Sequence, residues 1–216
     1  MFWTRPLVSD DLRHWIFECF DWFDTRFTPP PGPILPTRAF FDAPGGNSPE
    51  TAKLVVRDIQ RHLAFHDPVE LLPLDVLPAE YRHDYNALSS VAGSFEQTGD
   101  VAIIRYDPEQ MNHPVRFINL MAHELMHARL AHVVSDVPGG AGAHELATDL
   151  GCIIAGFGVF QLQAADDAGW FGYMTQDTRA FALAVFLKRG DLDLSSVATH
   201  LSARCCKLVA RGLKAL

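Results

Sequence analysis

The run Ala122-His123-Glu124-Leu125-Met126-His127 constrains this chain more than any other. It lies in a segment where Ile118, Met121, Leu125 and Met126 recur at helical spacing. On an α-helix, residues four apart lie about 40° apart around the axis and roughly 6 Å along it. His123 and His127 therefore project side by side from one face, while the apolar residues require that helix to pack against something. Paired neutral imidazoles suit zinc, at about 2.0–2.1 Å per Zn–N bond. Glu124 is turned about 100° from His123, toward where a water on the ion would sit, and a carboxylate there can take its proton.

Two histidines do not complete a tetrahedral site, because a catalytic zinc usually has three protein ligands and one open position. The sequence offers His144-Glu145-Leu146-Ala147-Thr148-Asp149 just downstream. Glu145 and Asp149 are four apart and share a helical face. Glu145 is assigned as the third ligand. Asp149 is assigned as the carboxylate that accepts from a ligating imidazole and fixes its tautomer. Asp149 and His144 stay open as alternative ligands. Acidic residues also favour a helix start for its dipole alone, which is the plain reading of the pair.

The rest of the chain predicts a helix-dominated α+β fold with a short β-hairpin and the active-site helix. Ser9-Asp10-Asp11 starts a helix running to about Phe27. Six residues between Pro29 and Pro36 make a stiff connector: Pro29, Pro30, Pro31, Gly32, Pro33 and Pro36. Ser48-Pro49-Glu50 starts a second helix, ending near Phe65. Residues 67–85 read as mostly irregular because of Pro68, Pro73 and Pro78. Val91–Glu96 and Val101–Tyr106 read as strands joined through Thr98-Gly99-Asp100. A long helix spans about Pro114 to Val133, and a glycine-rich loop covers Ser135–Gly142. One helix then runs from near Ala143 toward Gln163. Two more lie near Gln176–Lys188 and Ser195–Leu213. The domain reading is an N-terminal helical region, 1–90, flanking a core of 91–216, with one continuous domain as the alternative.

Composition narrows the partners. The net charge is -8 and basic residues are scattered, which disfavours nucleic acid, whose phosphates reward clustered cations. The four cysteines form no C-x-x-C pair and fit a reduced, cytoplasmic compartment. Charged residues interrupt the N-terminal apolar stretch, so no signal peptide is expected. The apolar segment Leu150–Phe160 is too short to span a bilayer, so a soluble protein without a membrane partner is expected.

H-E-x-x-H followed by Glu-x-x-x-Asp resembles the gluzincin branch of the zincin metallopeptidases. The run from Ile104 through Asn112 to the Ala-His-Glu helix resembles the compact bacterial peptidases of the ImmA/IrrE kind. The resemblance covers roughly Val101 to Gly158. It implies zinc held by His123, His127 and Glu145, Glu124 as the base, Asp149 supporting a histidine, and a peptide or protein substrate. It also implies that Val101–Tyr106 is the edge strand along which that peptide aligns. Leu125 and Met126 depart from the pattern, since many relatives carry Gly before the second histidine. His132 follows His127 without the Gly that a metzincin-like third ligand needs.

Tyr106, Tyr173 and His144 are candidate oxyanion or substrate contacts. The resulting expectation is a zinc metallopeptidase with one ion per chain, an endopeptidase before an exopeptidase. The alternatives are a metal-binding interaction module without turnover, or a non-peptidase zinc hydrolase. Substrate, pathway and oligomeric state are not readable from the sequence.

Overall fold

Side-chain caps set the starts of four of the eight α-helices among the described residues. The computed structural model describes residues 5–74, 93–99, 101–169 and 172–216. In chain order it holds α1 (Asp10–Arg26), α2 (Pro49–Leu63), β1 (Val69–Pro73), β2 (Gly93–Thr98), β3 (Val101–Tyr106) and α3 (Pro114–Leu130). There follow α4 (His144–Cys152), α5 (Gly158–Ala168), α6 (Gln176–Arg189), α7 (Ser195–Ala198) and α8 (Ala203–Lys214). The fold is α+β and dominated by helices. Ser9, Ser48, Thr175 and Ser202 each accept a backbone N–H of the following turn, which satisfies one otherwise orphaned donor.

Two compact units divide the chain: Thr37–His132, and the segment up to Pro36 together with Val133–Leu216. In the first, a three-stranded sheet has the order β1-β3-β2. β1 pairs with β3 in parallel, Val69 opposite Ala102, and β2 pairs with β3 antiparallel, Phe95 opposite Ile104. Two expectations change here. Residues 69–73 form a strand, although Pro73 and Pro68 suggested irregular chain; both prolines stand at strand ends, where no central N–H is lost. β3 is the central strand among the described residues, so it is not an open edge, and β2 takes the outer place. The early part of the expected Val91–Glu96 strand and Asp100 of the turn lie outside the described residues, as do 75–85.

β3 alternates: Ala102, Ile104 and Tyr106 are buried. Tyr106 meets Phe117 of α3 edge-on, ring centroids 5.5 Å apart. Ala52, Val56, Ile59 and Leu63 of α2 and Met121, Ala122, Leu125 and Met126 of α3 complete this core, nearly all fully buried. Each of the valine, isoleucine, leucine and methionine side chains among them contributes about 1.5–3 kcal/mol on leaving water.

In the other unit, α6 is the central helix, with Ala180 to Leu187 all buried. The single helix expected from Ala143 toward Gln163 is broken. A π-turn spans Ile153–Phe157 and Gly156 has φ 95°, open to glycine and strained for other residues. The cause is a long-range contact: the Gly156 carbonyl accepts from the Ile34 N–H, and a Cβ at Gly156 would stand 3.1 Å from the Gly32 carbonyl oxygen. The proline-rich connector thus seats on the break. The helix expected over Ser195–Leu213 is also two, because Ser202 caps a new start and its N–H is held by Gln163 at 2.7 Å. Gly140–Ala168 is long and apolar enough by composition to cross a membrane, but 89% of that window is buried within the protein, as in a core helix.

Candidate metal centre

α3 is packed on nearly all sides. Met121, Ala122, Leu125 and Met126 are fully buried, Glu124 is 5% exposed and His127 is 7% exposed. A helix fixed so completely also fixes its polar side chains. The Nε2 atoms of His123 and His127 are 3.0 Å apart, and their rings meet edge-to-face with centroids 4.6 Å apart. Two imidazole nitrogens this close need either a shared proton or a shared cation. In a tetrahedral zinc site with Zn–N of about 2.05 Å, ligand atoms stand about 3.3 Å apart, so the pair is close to the spacing an ion requires.

β2 supports this face of α3. Phe95 stacks nearly parallel on the His127 ring, 6.1 Å between centroids and 10° between planes. Gly93 lies over Glu124: a Cβ there would stand 3.1 Å from Glu124 Oε1 and 3.0 Å from Leu120 Cδ1. The absent side chain is what lets the strand pass so close to the carboxylate. The sequence reading missed both residues. Their only signal was position, a glycine and an aromatic opening the strand before the motif helix.

Glu145 stands in the first turn of α4 and is partly exposed. Asp149, one turn on, is 2% exposed. Its Oδ2 accepts from the Tyr173 N–H at 2.8 Å, the Met174 N–H at 3.2 Å and Arg179 Nη2 at 3.1 Å, while Gln161 Nε2 stands 3.5 Å from Oδ1. Arg179 is fully buried, and it also donates to Gln161 Oε1 and to the Met174 carbonyl. Burial pulls the guanidinium below its usual range, and the Asp149 charge opposes that pull. The Asp149 carboxylate is thus committed to an internal charge pair and two backbone donors. Arg179 is the third residue the sequence reading missed here; the signal was one arginine immediately before the apolar run Ala180 to Leu187.

His123, His127 and Glu145 each offer one ligand atom, and these atoms lie within 4.8 Å of one another, a group that could hold a metal ion. Two imidazoles and one carboxylate are a donor set that catalytic zinc uses, with a fourth position open. Among the other candidates, the His144 carbonyl accepts from Thr148 Oγ1. Tyr106 is 2% exposed in the core, and burial, followed by the charge of Glu50, raises its phenol above the usual range. Tyr173 is 56% exposed. Cys19, Cys152, Cys205 and Cys206 form no disulfide in this structure. Comparison of the chain with models of protein families, with curated proteins and with solved structures finds no match, so the case for this centre rests on its own geometry.

Proposed function

We propose that this chain is a zinc-dependent hydrolase of the zincin-like kind, cleaving peptide bonds. One observation carries the reading: a His-His-Glu group able to hold a metal ion, with the buried carboxylate of Glu124 on the same helix. A site built only to bind an ion has no need of that extra carboxylate.

His123, His127 and Glu145 would hold the ion. When bound, zinc supplies Lewis acidity, polarising the scissile carbonyl and making a water acidic enough to be deprotonated near neutral pH. Glu124 takes that proton on its carboxylate as the water's oxygen bonds to the carbonyl carbon. It then hands the proton to the leaving amine nitrogen as the C–N bond breaks. Gly93 lets β2 pass close against the Glu124 carboxylate, and Phe95 stacks on the His127 ring. Asp149 and Arg179 keep the start of α4 rigid, which holds Glu145 where it projects.

The test uses the Glu124→Gln variant, which keeps shape and removes the proton acceptor. Purified wild-type protein, loaded with zinc, is incubated with a broad peptide library and cleavage is read by mass spectrometry. The variant is expected to hold zinc equally and to cleave at least 10²–10⁴-fold more slowly. Cleavage at the wild-type rate would remove Glu124 as the base. Loss of zinc would make Glu124 a ligand and the site a different one. A zinc-loaded wild type that cuts no peptide would refute the peptidase reading.

A further inference from the structure

α4 carries Glu145 in its first turn, yet its start has no side-chain cap: Ala143 stands at the N-cap position, where no side chain accepts a backbone N–H. A 3₁₀ turn, Gly140–Ala143, runs straight into the helix at His144 instead. The direction of the first turn is therefore inherited from the chain before it. That chain bends through two successive left-handed residues, Gly139 with φ 88° and Gly140 with φ 66°. The Gly140 N–H donates to the Val137 carbonyl at 2.8 Å, which closes the bend. Glycine loses more conformational freedom on ordering than any other residue, so a bend of this kind needs an outside hold to keep one direction.

The hold comes from α1, which packs against α4. Trp15 Nε1 donates to the Pro138 carbonyl at 2.8 Å, across 123 positions of sequence. Proline fixes its own φ, so holding its carbonyl orients the peptide plane that leads into Gly139. A Cβ on Gly139 would stand 3.3 Å from Trp15 Nε1 and 2.8 Å from the Ala143 Cβ. The indole edge and the N-cap methyl group thus both close over the space that the missing side chain leaves. Arg26 of the same helix also reaches this segment, at 3.7 Å from Asp136, but those side chains are 36% and 57% exposed and such a pair contributes little. The partly buried indole is the firmer tie.

We propose that Trp15 is a positioning residue for the metal centre: by holding the Pro138 carbonyl it sets the first turn of α4, and so where Glu145 presents its carboxylate. This rests on the reading of His123, His127 and Glu145 as the ligands. Glu145 follows Pro138 by seven residues and precedes Asp149 by four. It is therefore held from both sides, by Trp15 upstream and by the Asp149–Arg179 pair at 3.1 Å downstream. The downstream pair leaves the first turn able to fray, because the first N–H groups of a helix have no partner within it. A ligand must reach its metal to within about 0.2 Å of the ideal bond length, so a loose first turn costs affinity.

The test reads zinc affinity, so it does not depend on turnover. Full-length wild type and Trp15→Phe, which keeps an aromatic ring and loses the N–H, are stripped of metal and titrated with zinc against a chromophoric chelator. Binding is expected to weaken about tenfold, the lower end of the 10–100-fold typical when a group supporting a ligand is removed. Gly139→Ala, which pushes a methyl group between Trp15 and Ala143, should do the same. In a Glu145→Ala background, Trp15→Phe should cost no further affinity, because the residue it positions is gone. Hydrogen–deuterium exchange should quicken over residues 140–149 and stay unchanged in α6 and α8. Zinc affinity unchanged in both single variants would overturn the role. So would an equal loss with Glu145 already absent, or faster exchange spread over all helices, since either marks Trp15 as a packing residue only. If Trp15→Phe does not fold, Gly139→Ala carries the same readouts. A wild type that takes up no zinc refutes the metal centre and the role with it, whereas wild-type zinc binding that neither change disturbs refutes the role alone.

Discussion

Replacing Arg179 with Met should destabilise the fold severely. Arg179 and Asp149 form an ion pair of 3.1 Å, with side chains 1% and 2% exposed. Methionine fills much of the aliphatic volume but donates nothing. Three acceptors then lose a partner: Asp149 Oδ2, Gln161 Oε1 and the Met174 carbonyl. Asp149 keeps its two backbone donors, which limits the loss without neutralising the charge. Breaking a buried pair by removing one partner typically costs about 3–5 kcal/mol. At about 2–4 °C per kcal/mol for a chain of this size, Tm should fall by roughly 6–20 °C. Calorimetry and urea denaturation measure it directly. The companion variant Asp149→Leu with Arg179→Met should cost clearly less than the two single changes summed, because neither charge is left stranded. A single Arg179→Met cost below about 1 kcal/mol, or strict additivity in the double variant, would refute the argument that this pair is a desolvated, mutually dependent unit.

Further outcomes follow from individual contacts. Glu145→Ala should weaken zinc binding by more than about 100-fold in a chelator competition with the fold intact, whereas Asp149→Ala should show first as lost thermal stability, since it strands Arg179. Gly93→Ala should retain zinc and slow peptide cleavage, because the new methyl group meets Glu124 Oε1 at 3.1 Å and Leu120 Cδ1 at 3.0 Å; a wild-type rate would show that the carboxylate has room to move. Cys19 is fully buried, and burial, with the nearby Glu18 charge second, pushes its thiol up from 9.0 to about 12. A raised folded value means that the stabilising contribution is complete below pH 9 and is lost as pH rises from there toward 12, where the unfolded thiol ionises first. Cys19 should therefore resist thiol reagents at pH 8 in the native protein and react on unfolding, while partly exposed Cys206 reacts earlier, as mass mapping of the labelled peptides would show.

Short-range information in the chain determined the helices and the donor spacing. Ser9 and Ser48 announce helix starts because a side-chain oxygen can reach an N–H only two or three residues away. His123 and His127 fall together because a helix repeats every 3.6 residues, whatever surrounds it. Glu145 was named from the same rule, and the group found among the described residues contains it with the two histidines. Tertiary structure decided the rest, through contacts between residues far apart in sequence. Glu145 and Asp149 are equivalent by spacing; what separates them is Arg179, thirty positions from Asp149, which commits that carboxylate to an internal pair. The break at Gly156 depends on Ile34 and Gly32, and no periodicity in Leu150–Phe160 could reveal a distant backbone seated there. β3 became the central strand only because Val69–Pro73 adds in parallel on its far side. Helix phase is a property of adjacent residues, whereas strand order, charge pairing and close backbone approach belong to the folded chain.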